Sequence, residues 1–171
     1  SEWWALKEIW NKGLLYKGYK IVPYCPRCGT PLSSHEVAQG YKSVKERSAI
    51  VRFKVVGEDA YFLAWTTTPW TLPSNVALCV NPDETYCKVK AADGYTYYMA
   101  EALLDKVLGG LANEEEGVKA YEVLETYKGK DLEYKEYEPL YACAGEAAAK
   151  QNKKGHYVTC DSYVTMTDGT G

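Results

Sequence analysis

The chain has 171 residues, 46% apolar and 25% charged, which excludes a disordered chain and suits one sizeable core with an appendage. No apolar run approaches the roughly 20 residues of a membrane span, and Ser1-Glu2-Trp3-Trp4 lacks the basic and apolar blocks of a secretory signal. A net charge of -3 excludes a nucleic-acid binder that works by bulk positive charge, yet residues 1–57 carry 10 basic and 4 acidic side chains against 10 and 19 in residues 58–171.

In chain order, Trp3, Leu6, Ile9 and Trp10 recur at helical spacing, predicting a helix over residues 2–12 with Ser1 as its cap and Gly13 at its end. Tyr19 to Tyr24 reads as a short strand stopped by Pro26. Cys25-Pro26-Arg27-Cys28 then forms a knuckle followed by Gly29-Thr30-Pro31. Two thiolates in one tight turn supply one side of a tetrahedral zinc site. No second Cys-x-x-Cys exists to complete it, and His35, seven residues on, is a weak third candidate. The favoured reading is therefore a zinc half-site, Cys25 and Cys28, whose other ligands lie elsewhere. A redox pair is disfavoured, because Pro31 blocks the long helix that thioredoxin-type pairs open. Cys79, Cys87, Cys143 and Cys160 are scattered in apolar or aromatic surroundings and read as core thiols of a reducing, cytoplasmic compartment.

Ser48 to Val56 and Ala60 to Thr66 read as a β-hairpin, Asn75 to Val80 as a further strand, and Tyr86–Ala91 with Tyr95–Ala100 as a second hairpin. Glu101 to Leu108 reads as a helix ended by Gly109-Gly110, Glu114 to Gly117 as a surface loop, and Val118 to Tyr127 as a strand. Ala142 to Lys154 is either a short helix or a loop, and His156 to Met166 is a last strand. Short strands at regular spacing with few helices predict an α+β fold with a β-barrel-like domain.

The most informative stretch is Trp65-Thr66-Thr67-Thr68-Pro69-Trp70-Thr71-Leu72-Pro73-Ser74-Asn75. Pro69 forces Thr68 out of the helical region, and Pro73 repeats the constraint four residues later. The predicted result is a stiff loop presenting five hydroxyls and one carboxamide, able to hold a ribose or an ester by neutral hydrogen bonds and to fix a water near a carbonyl. It holds no Cys, His or carboxylate and so is no nucleophile–base pair by itself. The plainer reading is a strand edge in which Thr serves β-propensity.

Three further pieces join this peptide: Trp3-Trp4 through Tyr16-Lys17-Gly18; Tyr24 through Val37; and Asp161 through Gly171, ending Asp168-Gly169-Thr170-Gly171. In that order they resemble the class I isoleucyl-tRNA synthetases across nearly the whole chain, and Pro69-Trp70-Thr71 resembles the isoleucyl rather than the valyl version. The resemblance implies the connective-peptide insertion of the synthetase. Residues 1–42 would be the stem from the catalytic core with its zinc knuckle. Residues 43–171 would be most of an editing domain of the type shared by valyl, isoleucyl and leucyl enzymes.

It implies hydrolysis of Val-tRNA(Ile). The physical need is a limit for which isoleucyl-tRNA synthetase is itself the standard worked example: one methylene gives only roughly 150-fold discrimination, so a second pocket must clear the error. Thr66, Thr67, Thr68 and Asn75 would hold the substrate, with Trp65 and Trp70 as wall or core. The partners implied are the 3′ end of tRNA(Ile) carrying Val and the rest of the synthetase, with no membrane and no DNA. ATP and Mg would belong to the catalytic domain of the parent ligase. In the family, Gly-Thr-Gly precedes a His and a catalytic Asp, which here would fall just after Gly171, so no catalytic residue is expected within the chain. His35 and His156 match neither, and Asp168 is expected to shape a turn. Ser at position 1 and the stop at Gly171 lead to the expectation of a piece of a longer protein, weak or inactive alone. The alternatives are a zinc-knuckle module that binds RNA or protein, and the editing domain of a valyl or leucyl enzyme.

Overall fold

Helix α1 (Glu2–Asn11) opens the first of two compact units, Ser1–Lys45 and Glu46–Gly171, in a computed structural model that describes residues 1–112 and 117–171. Its end is fixed by two backward hydrogen bonds, Gly13 N–H to Trp10 O at 2.9 Å and Leu14 N–H to Ile9 O at 3.2 Å, the pairing that satisfies the last carbonyls of a helix. Ser1 occupies the cap position, but its side chain makes no capping bond. None of the ten helical residues is buried, and Trp3 is 85% exposed.

The strand expected over Tyr19–Tyr24 shrinks to β1 (Tyr24–Cys25), because only β2 (Thr30–Pro31) faces it as a hydrogen-bonding partner. A helix that the periodicity did not suggest follows, α2 (Ser34–Gln39). Ser33 and Glu36 form a reciprocal capping box, with Ser33 N–H to Glu36 Oε2 at 2.8 Å and Glu36 N–H to Ser33 Oγ at 3.3 Å. The Ser-x-x-Glu spacing is the local signal that starts this helix.

The second unit is built on an open five-stranded sheet. Strands β3 (Ala49–Lys54) and β4 (Tyr61–Thr66) form the expected antiparallel hairpin, with Lys54 opposite Tyr61 and Ala49 opposite Thr66. After β5 (Ala77–Val80), β6 (Thr85–Ala91) and β7 (Thr96–Ala100) form the second hairpin. A short 3₁₀ turn leads into α3 (Leu104–Leu108), and β8 (Tyr121–Lys128) then pairs with the outer side of β6, giving the order β3-β4-β7-β6-β8. Tyr97, Tyr98 and Met99 are consecutive and all buried, so β7 is covered on both faces. After α4 (Ala142–Lys150), β9 (Tyr157–Cys160) lies parallel to β5 in a separate two-stranded sheet.

The fold is α+β, as expected, but among the described residues the strands do not close into a barrel. The parallel pairing of β4 with β7 covers only Tyr61–Tyr97 and Phe62–Tyr98. The segment 134–138 runs between the two sheets, with isolated bridges of Tyr137 to Val55 and of Glu136 to Tyr157. The last strand ends at Cys160 rather than Met166, because Asp161 accepts the Tyr163 N–H at 3.2 Å and turns the chain. The loop expected over Glu114 to Gly117 lies almost entirely outside the described residues.

Candidate functional site

The threonine peptide leaves β4 at Thr66 and folds into a chain of hydroxyls. Thr66 Oγ1 accepts the Thr68 N–H at 3.0 Å and lies 3.3 Å from Thr68 Oγ1, which lies 3.4 Å from Thr71 Oγ1. Thr71 Oγ1 in turn donates to Thr68 O at 2.7 Å. Thr67 is exposed and takes no part in this chain. The expected stiff loop takes the form of a 3₁₀ helix over Pro69–Ser74, entered through Thr68 at φ -123 and ψ 67. Pro69 stands in the first turn, where its missing N–H costs nothing. The threefold repeat of this helix puts Leu72 and Asn75 on one side, both half-buried, and leaves Trp70 75% exposed. Trp70 is therefore neither wall nor core. Trp65 is also exposed, and its ring packs against Gly169.

Asn75 stands at the far end of this strap and is not hydrogen-bonded to the threonines. Its Nδ2 donates to Ala77 O at 3.1 Å, and its Oδ1 accepts the Tyr137 hydroxyl at 2.7 Å. Its backbone N–H reaches Leu72 O at 3.0 Å, and His156 Nε2 lies 3.2 Å from its carbonyl oxygen. The structure thus joins Thr66 and Thr68 directly and sets Thr67 and Asn75 apart. Tyr137 and His156, which the sequence pattern did not single out as site residues, hold Asn75.

A cavity of about 470 Å³ flanks the strap at both ends. Its lining runs to Trp65 on β4 and resumes at Ala77 on β5, with Cys79, Tyr163, Thr165 and Asp168 among its polar or ionisable walls. Neither Thr66–Thr68 nor Asn75 lines it. One wall is the Gly-Thr-Gly segment, which wedges between β4 and β7 where their pairing stops. Thr170 Oγ1 donates to Leu63 O at 2.9 Å, and Thr170 O accepts the Ala100 N–H at 3.1 Å. A Cβ on Gly171, at φ +84, would stand 2.3 Å from the Ala100 Cβ, so the close approach admits only glycine. Asp168 accepts from Lys106 Nζ at 3.2 Å.

Cys25 and Cys28 flank the tip of the β1–β2 hairpin, where the Cys28 N–H points at Cys25 Sγ at 3.4 Å. That amide, then the Cys28 side chain and the Arg27 amide, hold the Cys25 thiol below its ordinary pKa. His35 is not drawn in, and its Nε2 lies 2.8 Å from Gln39 Nε2 on the same helix. Among the described residues no group of three or more His, Cys, Asp or Glu side chains is placed to hold a metal. All six cysteines are free. Cys87 is a core thiol as expected and Cys79 and Cys160 are half-buried, but Cys143 is exposed on α4, because that helix buries none of its residues.

The family model for tRNA synthetases class I (I, L, M and V) matches residues 1–166. The isoleucine–tRNA ligases of Clostridium kluyveri, Picrophilus torridus and Thermus thermophilus are 54%, 49% and 48% identical to this chain over its whole length. The chain spans 15% of the length of each of these relatives. The crystal structure of GlLeuRS-CP1 superposes with a TM-score of 0.52 over 73% of this chain and 51% of that one, at 14% identity, a likeness of fold.

Proposed function

The chain belongs to the class I tRNA synthetases (I, L, M and V), and on that premise we propose that it is the editing segment of an isoleucine–tRNA ligase, clearing Val from tRNA(Ile) in the cytoplasm. The observation that carries this reading is the hydroxyl chain Thr66–Thr68–Thr71 beside a cavity of about 470 Å³. The reaction is attack of water on the ester carbonyl that joins Val to the terminal ribose. One C–O bond forms, the ester C–O bond breaks, and the ribose hydroxyl leaves with a proton from water. Neutral donors that grip ribose and ester oxygens without a competing nucleophile suit such a step, because they orient the ester and leave the attack to water. Thr66, Thr67, Thr68 and Asn75 bind the substrate. ATP and Mg serve the activation chemistry of the longer protein, and the tRNA 3′ end is the partner that reaches this segment.

The test is made in the full-length ligase. Thr67→Ala and Thr68→Ala are expected to leave Ile activation at the parent rate and to slow Val-tRNA(Ile) deacylation by roughly 10-fold or more. Mischarging that stays at the parent level in both variants overturns the reading.

A further inference from the structure

The Asn75 carboxamide and backbone carbonyl are addressed from outside the strap, by Ala77, Tyr137 and His156. Tyr137 stands on the segment that bridges to β3 and is 2% exposed, with edge-on ring contacts to Phe53 at 5.2 Å and to His156 at 5.7 Å. Its backbone N–H donates to His156 O at 2.9 Å, and the His156 N–H donates to Val76 O at 2.6 Å. His156 is 8% exposed and sits at φ +62, a conformation that a histidine adopts only where its surroundings over-determine it. The strained residue is the one whose ring reaches Asn75 O.

The carboxamide can lie only one way. The Ala77 carbonyl accepts and cannot donate, so the nitrogen faces it and the oxygen faces Tyr137. Burial raises the Tyr137 pKa well above the ordinary tyrosine range, against the smaller opposing effect of its bond to Asn75, so the hydroxyl stays protonated and donates. With one Nδ2 hydrogen and one Oδ1 lone pair spent, one of each remains on Asn75. A donor and an acceptor side by side match a ribose hydroxyl, which both gives and takes a hydrogen bond.

We propose that Tyr137, through the carboxamide oxygen, and His156, through the backbone carbonyl, are positioning residues that hold Asn75 with its free donor and acceptor aligned for the aminoacyl-ribose end of the substrate. This rests on the editing reading above. Without the Tyr137 hydroxyl the carboxamide is held by Ala77 O alone, and its oxygen end is free to swing about that one bond. The ground-state complex keeps its other contacts, so the loss falls on the alignment of the ester for attack.

The experiment uses full-length ligase and preformed Val-tRNA(Ile). Tyr137→Phe keeps the ring contacts and removes the hydroxyl alone. It is expected to lower the deacylation kcat by roughly 10-fold, with KM within about twofold and Ile activation and thermal unfolding at parent levels. In an Asn75→Ala background it is expected to add nothing. His156→Asn, which Asn's tolerance of left-handed backbone permits, is expected to repeat both results and keeps the test open if Tyr137→Phe unfolds early. The proposal is overturned if Asn75→Ala slows deacylation while Tyr137→Phe and His156→Asn do not, or if their effects multiply with that of Asn75→Ala. If Asn75→Ala and Thr68→Ala both deacylate at the parent rate, the editing reading itself fails.

Discussion

Gly129 follows β8 in a Lys-Gly-Lys-Asp stretch that reads as an ordinary turn, and nothing local marks it as special. In the fold, a Cβ there would lie 2.0 Å from the Asn81 carbonyl oxygen and 3.1 Å from the Tyr86 ring. Its own N–H donates to Glu84 O at 3.0 Å, so the backbone cannot retreat without breaking that bond. Gly129→Ala is therefore expected to lower stability by about 2–4 kcal/mol through overpacking against backbone. The urea midpoint of the 171-residue chain measures it, and a shift worth less than about 0.5 kcal/mol counts against the close approach. Gly171 has the same logic against Ala100, the cross-strand partner of Tyr86. Both are invisible in sequence, because the atom each would strike comes from a distant strand. The threonines were legible as a hydroxyl-rich peptide, whereas the roles of Tyr137 and His156 were not, since they lie 62 and 81 residues from Asn75.

Among the elements, the two hairpins β3–β4 and β6–β7 were readable from alternation and from the Gly57 and Asp93-Gly94 turns between them. Helix α2 was missed although its capping box stands in the sequence, because six residues are too few to show a helical period. The strap reads as a stiff loop in the sequence because two prolines break an α-helix. They do not break a 3₁₀ helix that starts on one and ends beside the other. The β1–β2 hairpin carries a metal prediction of its own. With only Cys25 and Cys28 within reach among the described residues, this chain is expected to bind Zn²⁺ weakly, and the intact ligase is expected to hold one equivalent tightly. Elemental analysis of parent and Cys25→Ala ligase checks this. A full equivalent retained by the variant after chelation sinks the half-site assignment.

At the scale of the whole molecule, Glu58 ties together the pieces of the second unit. It lies just beyond β3, and one oxygen accepts from Lys135 Nζ at 2.5 Å while the other accepts from the Tyr98 hydroxyl at 2.8 Å and from Lys88 Nζ at 3.1 Å. Burial works against its charge, yet the bonds from Lys135, Tyr98 and Lys88 outweigh it and hold the carboxyl at about 2, against an ordinary 4.5. A pKa depressed in the folded state stabilises the fold above the ordinary value. That contribution is lost as pH falls from about 4.5 to about 2. It is worth about 1–2 kcal/mol once partial exposure to solvent is allowed for. Glu58→Gln is expected to lower stability at neutral pH and to flatten the acid limb of the urea midpoint between pH 5 and pH 2. An acid limb as steep as the parent's would refute this role. Because Lys88 lies on β6, Tyr98 on β7 and Lys135 past β8, acid is expected to loosen the sheet as a unit.

The sequence alone determined what depends on neighbours along the chain: the α+β class, the two hairpins, helix α1, the Cys-x-x-Cys knuckle and the threonine strap, because periodicity, proline and short spacings act over a few residues. It also carried the family resemblance, which lies in the order of whole motifs. Only the tertiary structure decided that the sheet stays open where Gly-Thr-Gly parts β4 from β7, that Trp70 faces solvent, that His35 turns from the knuckle, and that Asn75 is gripped by Tyr137 and His156. Each of these rests on contact between segments far apart in the chain. Such contacts arise from the packing of surfaces and the satisfaction of buried hydrogen bonds, and no local pattern encodes them.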